Sequence, residues 1–257
     1  MTRLVTFNVQ HGRSQHDGRV DPARLADAVV GLGGDVVALQ EVDRWQPRSL
    51  GSDLAHAVVE ATGVVEHRYL PALAGLVSGP GAAPRRARGD EPPHVPAYGI
   101  ALLSRHPVRE WWRVRLPVAT PWLGPVHLGP DEPRVALAAV VETPDGPLTV
   151  VATHLSSWRR WNRVQLRWLA RHLRAAPRPL VLLGDLNVPA PEPARITGWR
   201  PLVHVPTFPR HRPRTTIDHV LADGDVEATG PARAVDTGVS DHRAVVVDVA
   251  VGGGLHP

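Results

Sequence analysis

Eight short apolar runs punctuate the chain, at residues 4–7, 36–39, 100–103, 135–141, 148–152, 180–183, 217–221 and 244–251. Runs of this length predict strands covered on both faces. Three longer segments carry helical periodicity instead. Residues 21–32 open with Asp21-Pro22, a capping side chain followed by proline at the first helical position. Residues 53–62 form a second helix. In 157–174, Trp158, Trp161, Gln165, Trp168 and His172 recur at helical spacing, which predicts a helix with its tryptophan face on a sheet and its arginine face in solvent. Strands alternating with helices make this an α/β chain.

Polar residues collect where the apolar runs end. Run 4–7 is followed by Asn8, 36–39 by Gln40-Glu41, 148–152 by Thr153-His154, and 180–183 by Gly184-Asp185-Leu186-Asn187. Ile217 leads into Asp218-His219, and Ser240-Asp241-His242 precedes 244–251. Taken singly, each is a common turn or surface residue. Gathered at the ends of buried strands, carboxylates and imidazoles are costly to desolvate unless they meet a metal ion or a phosphate.

The segments Thr6-Phe7-Asn8-Val9, Leu39-Gln40-Glu41-Val42, Tyr98-Gly99-Ile100, Pro133-Arg134, Thr153-His154-Leu155, Gly184-Asp185-Leu186-Asn187, Thr216-Ile217-Asp218-His219 and Ser240-Asp241-His242-Arg243 together resemble one family. It is the endonuclease/exonuclease/phosphatase superfamily, which includes deoxyribonuclease I, exonuclease III, neutral sphingomyelinases and inositol-polyphosphate 5-phosphatases. The resemblance runs in the family's order from residue 6 to 243. It implies a four-layer α/β/β/α sandwich, two packed mixed β-sheets flanked by helices, with residues 1–257 as a single domain and the site where both sheets end. It also implies hydrolysis of a phosphodiester or phosphomonoester with a divalent cation, Mg²⁺, with Mn²⁺ as a substitute.

By the same resemblance, Asn8, Glu41 and Asp241 hold the cation, and Asp185 and Asn187 line a second position. Local chemistry agrees, since Mg²⁺ takes oxygen ligands and needs only one or two carboxylates. Arg134, His154 and Asn187 hold the phosphate, Arg134 as a fork-shaped donor. The proton of the attacking water goes to His242, oriented by Asp218, or to Asp185. His219 follows Asp218 on the same strand, faces the other way and is read as structural. Three departures set the chain apart from the exonuclease III branch or from many relatives: Gln10 in place of an acid, the Thr153-His154-Leu155 form, and Ile100 where asparagine is frequent.

Composition narrows the reading. With 43% hydrophobic and 21% charged residues in 257, a packed core is expected. The absence of cysteine excludes disulfides, thiolate metal sites and a thiol nucleophile. All 29 Lys+Arg residues are arginine, and the net charge of +4 is read as spread over the chain. The expected substrate is therefore a small-molecule or lipid phosphate ester. A DNA or RNA nuclease is the alternative, supported by the arginines of 157–174, and a non-catalytic binding module is the third reading. Segment 74–97, rich in Gly, Pro, Ala and Arg, is expected to be a long mobile surface loop, and 117–133 and 189–213 to be irregular. No apolar run reaches a membrane span, and the first run begins beside Met1, so no secretory leader and a cytoplasmic location are expected; the oligomeric state is left open, with a monomer assumed.

Overall fold

The computed structural model describes residues 1–119 and 131–252. The chain first lays down most of one sheet: β1 (Thr2–Asn8), β2 (Val36–Gln46), β3 (Ser52–Asp53), β4 (Glu66–Ala74), β5 (Arg85–Arg86) and β6 (Ala97–Ser104). It then builds a second sheet from β7 (Val108–Arg115), β8 (Val135–Thr143), β9 (Gly146–His154), β10 (Leu180–Asp185), β11 (Arg200–Pro201) and β12 (Asp218–Asp223). Finally β13 (Val226–Ala228), β14 (Arg233–Val235) and β15 (Ala244–Val251) return to the first sheet. Strand order is β13-β15-β1-β2-β6-β4-β5 in the first sheet and β11-β12-β10-β9-β8-β7 in the second. Both sheets are mixed, with β1–β2 and β9–β10 parallel.

Alternation along each strand sorts side chains into three apolar layers. Leu4, Ala38 and Leu102 of the first sheet meet Leu137, Val150 and Leu183 of the second in the core between sheets. The opposite faces carry Val5, Val37 and Leu103 toward helices α1 (Pro22–Leu32) and α2 (Leu54–Thr62). On the far side Val151, Leu180 and Leu182 meet α3 (Trp161–His172), which a short α4 (Glu192–Thr197) accompanies. The result is the four-layer α/β/β/α sandwich. Asp21 caps α1 by accepting from Ala23 and Arg24 N–H, and Asp53 caps α2 through His56 N–H.

The helix at 157–174 corrects one expectation. It begins at Trp161, and the face it buries is Asn162, Gln165, Leu166 and Leu169, not the tryptophans. Trp158 is 41% exposed, Trp161 donates from its indole to Pro117 O (3.1 Å), and Trp168 stacks on His172. The leucine stripe is offset by about one residue from the tryptophan stripe, and it is Leu166 and Leu169 that pack against the sheet.

Strands β4 and β7 were absent from the apolar pattern. β4 carries Pro71 at a break in its register with β6, and β7 is an edge strand with Arg and Glu on its open face. Segment 74–97 holds β5, paired with Leu73 and Ala74 of β4. Glu91 ties it down by accepting from the Arg85 guanidinium at 2.6 Å on both oxygens and from Arg88 N–H. Of the irregular segment 117–133, residues 120–130 lie outside the described residues. Among the described residues, no helix is long and apolar enough to cross a membrane.

Candidate active site

Strand ends from both sheets meet at one rim of the sandwich. β1 ends on Asn8, β9 on His154 and β10 on Asp185, while β12 begins on Asp218. Register makes His154, Asp185 and Asp218 direct neighbours across three strands. Gly184 permits this closeness. It has φ 151°, and a Cβ there would sit 1.9 Å from Thr153 O.

Glu41 reaches the rim by another route. Between the pairs Leu39–Ala101 and Val42–Gly99, β2 sets Gln40 and Glu41 against the single residue Ile100. This bulge, with Glu41 at φ 59°, turns the carboxylate toward the cavity. Ile100 itself lies in the core between the sheets. Gln10, His11, Asn187 and Ser240 at the same rim also have positive φ, so backbone strain concentrates where the polar side chains converge.

Hydrogen bonds knit the two sheets together. Asn8 Nδ2 donates to Glu41 Oε1 (3.1 Å) and to Asp185 Oδ2 (3.0 Å), while Asn8 Oδ1 accepts from Gln10 N–H (3.1 Å). Asn8 thus turns its nitrogen, and not its oxygen, to the carboxylates. Asp185 Oδ1 accepts from Asn187 N–H (2.9 Å), and its Oδ2 lies 3.5 Å from His154 Nε2 and 3.7 Å from His242 Nε2. Ser240 Oγ donates to Asn8 O (2.6 Å) and accepts from His242 N–H (3.1 Å), pinning the Ser240-Asp241-His242 turn to the end of β1.

The two histidines differ in state. Arg134 Nη1 is 2.8 Å from His154 Nδ1. Arginine only donates, so Nδ1 carries the lone pair and the proton sits on Nε2, toward Asp185. Burial, reinforced by the charges of Arg134 and His242, holds His154 well below its ordinary pKa and neutral. His242 Nδ1 is 2.9 Å from Asp218 Oδ2, which also accepts from Thr207 Oγ1. Burial pulls the His242 pKa down, but the charge and hydrogen bond of Asp218, with Asp185 and Asp241 beyond, carry it to about 10. Burial and then the Asp218 charge push Asp185 up to about 7.

Seven of the nine residues singled out in the sequence line one cavity of about 640 Å³; Asn8 and Asp218 are buried behind it. His219 donates to or accepts nothing at the site; its Nε2 meets Val188 O at 2.8 Å. Sequence reasoning missed Thr207 and Arg48, and gave Tyr98 no role beyond its place in a motif. Arg48 pairs through two 2.8 Å contacts with buried Asp43 and stacks over Tyr98, and no motif marks Thr207 or Arg48.

The donor set fits a divalent cation. Glu41 and Asp241 line the same cavity, and neither has an ion pair among the described residues. Burial raises the Glu41 pKa, against the Asn8 hydrogen bond and the Arg134 charge, and Asp241 raises it further. Two hard oxygen donors sharing a desolvated space suit a cation that keeps part of its water. Asp185, Asp218 and His242 also offer ligand atoms within 4.8 Å of one another, but the Asp218–His242 hydrogen bond already uses one imidazole nitrogen.

Residues 5–242 match the model of the endonuclease/exonuclease/phosphatase family, and the chain belongs to that family. An endonuclease/exonuclease/phosphatase structure from Beutenbergia cavernae is similar at 26% identity and a TM-score of 0.76, over 100% of this chain and 73% of that one. Mannosyl-6-phosphatase from Bacteroides thetaiotaomicron shares the fold at 15% identity and a TM-score of 0.68, over 97% and 100%. Sphingomyelinase C from Streptomyces griseocarneus does so at 16% and 0.63, over 97% and 99%. No curated protein matches the chain by sequence.

Proposed function

We propose that the protein is a divalent-metal-dependent phosphoesterase acting on a phosphate ester that is compact at its reacting end. The observation that carries this reading is the convergence, in one cavity, of the Glu41 and Asp241 carboxylates with His242, which Asp218 holds from behind, and the donors Arg134, His154 and Asn187. The names of the mannosyl-6-phosphatase and sphingomyelinase C structures support a phosphoester substrate.

Glu41 and Asp241 hold the cation, for which Mg²⁺ is the natural choice and Mn²⁺ the substitute. When bound, it polarises a phosphoryl oxygen and offsets the charge that develops there. Asn8, whose oxygen is taken by Gln10, positions Glu41 and Asp185 through its nitrogen. Arg134, the Nε2–H of His154 and the Asn187 amide hold the phosphate. Asp185 is the general base, because its pKa near 7 leaves it able to accept a proton at neutral pH. Water oxygen bonds to phosphorus, its proton passes to Asp185, and the ester oxygen leaves with the P–O bonding pair and is protonated by solvent. His242, charged and held by Asp218, gives an N–H and a positive charge to a phosphoryl oxygen.

A nuclease is the second reading, favoured by the arginines that α3 presents beside the cavity. Hydrolysis assays with Mg²⁺ or Mn²⁺ over sugar phosphates, nucleotides, phospholipids, plasmid and abasic duplex separate the two. Turnover of a small or lipid ester, faster than nicking of plasmid or abasic duplex, supports the first reading; the reverse order supports the second. No turnover of any ester with either metal overturns both.

A further inference from the structure

Beside the catalytic cavity, on the outer helical layer, α3 and α4 enclose a groove of about 610 Å³ lined by Arg159, Arg163, Arg167 and Arg195 around a single carboxylate, Glu192. It continues through Arg167 into a second hollow of about 290 Å³ with Arg171, Arg174 and Arg178 around Asp223. Seven arginines against two carboxylates is an excess of five, on a chain whose net charge is +4. The positive charge is therefore gathered on this flank and not spread over the molecule.

Two of the seven are committed. Arg163 pairs with Glu192, and Arg178 pairs with Asp223 while capping Leu173 O and Ala176 O. Arg159, Arg167, Arg171, Arg174 and Arg195 have no ion pair among the described residues, and all five are exposed. The hydrogen bond from Arg163, against burial and with the charges of Arg163, Arg167 and Arg159 added, holds Glu192 below the usual carboxylate range.

The groove runs in a defined direction. β9 and β10 are parallel and end together at the catalytic rim, so α3, which connects them, runs from that rim to the opposite end of the sandwich. From Arg159 to Arg174 it covers roughly 20 Å. At the rim cavity and groove adjoin along the chain: Ser157 lines the cavity, Arg159 lines the groove, and the residue between them, Trp158, is exposed. Asn162 of α3 donates to Asn187 O (2.7 Å), fixing the helix to the site.

We propose that the α3–α4 groove binds a single-stranded polynucleotide through its phosphates, with Trp158 as a stacking platform where the strand meets the cavity. A row of cations in a concave track with an aromatic at one end suits a linear chain of phosphates whose bases can stack. A membrane fits less well. The apolar stripe of α3 is spent on the sheet, leaving no face to insert among lipids, and a planar surface laid along this flank does not face the cavity mouth. Binding is separate from hydrolysis and is measurable with the metal removed.

The test is fluorescence anisotropy of a labelled oligothymidylate in EDTA across a salt series. Wild type is expected to bind at about 50 mM salt, with log K falling against log salt at about −0.7 per phosphate contacted. The variant R159Q/R167Q/R171Q should lose roughly tenfold or more in affinity and about 2 in slope. Its melting temperature and its turnover of a small ester should match wild type, which separates failure of the groove from failure of the site. W158A should weaken binding without changing the slope. No oligonucleotide binding at low salt, equal binding by the triple variant, or capture of phosphatidylserine vesicles in place of the oligonucleotide overturns the proposal.

Discussion

Asp218 Oδ2 and His242 Nδ1 lie 2.9 Å apart across the two sheets, one at the start of β12 and the other just before β15. Both side chains are buried. The bond orients the imidazole and makes it cationic, and it depends on the two sheets packing in register.

Replacing the carboxylate by an amide removes the charge that overcomes burial. Asp218→Asn should therefore bind Mg²⁺ like wild type but lose about 10²–10³ in turnover. The stability consequence has a sign. His242 is raised to about 10 in the folded protein, so its contribution is fully present below its unfolded pKa of about 6.5 and is lost as pH rises through about 10. Urea melts from pH 6 to 10 should fall more steeply for wild type than for Asp218→Asn.

Glu41 also lowers stability as pH rises, but because its charged form is disfavoured in the fold rather than favoured. Its pKa is raised chiefly by burial, so its charged form costs stability above the unfolded value and the cost vanishes as pH falls below it. Glu41→Gln should melt higher than wild type at pH 7 in EDTA, and calorimetry should find its Mg²⁺ affinity lost. A folded variant with unchanged affinity contradicts the assignment.

Gly184→Ala places a methyl against Thr153 O in a backbone conformation that disfavours side chains. A loss of about 1–3 kcal/mol by urea denaturation is expected, together with loss of activity, because the next residue is Asp185. Gly198→Ala, where nothing lies within 4 Å of the added carbon, is the control: it also has positive φ but no clash, so it should cost less and spare activity.

Glu91 governs the 74–97 segment. Its hydrogen bonds to Arg85, opposed by burial and aided by Arg88 N–H, bring its pKa down to about 2. The stabilisation is present above the unfolded value near 4.3 and is lost as pH falls through about 2. Glu91→Gln, worth about 1 kcal/mol locally, should speed proteolytic nicking within 74–97 at pH 7 without lowering the melting temperature of the core.

Much of the site was legible because polar residues at the ends of apolar runs are conspicuous. Asn8, His154, Asp185 and Asp218 each terminate or open a strand in register. The bulge at Glu41 was not legible, since two residues opposing one is a property of the pairing with β6. Thr207 was missed because a lone threonine in a Pro-rich segment carries no signal, yet it satisfies the same Asp218 oxygen as His242. The α3 packing face was misplaced because both tryptophan and leucine stripes have helical spacing, and only the sheet decides between them. The clustering of arginines likewise needed α4 and β12 to arrive from distant sequence.

The most direct test of the hydrolytic account is initial-rate hydrolysis of the best ester from the substrate panel, by wild type and Glu41→Gln side by side. Wild type should be inactive in EDTA and recover fully on addition of excess Mg²⁺, while folded Glu41→Gln stays at background at the same Mg²⁺ concentration. Undiminished turnover by wild type in EDTA, or by Glu41→Gln in Mg²⁺, contradicts it.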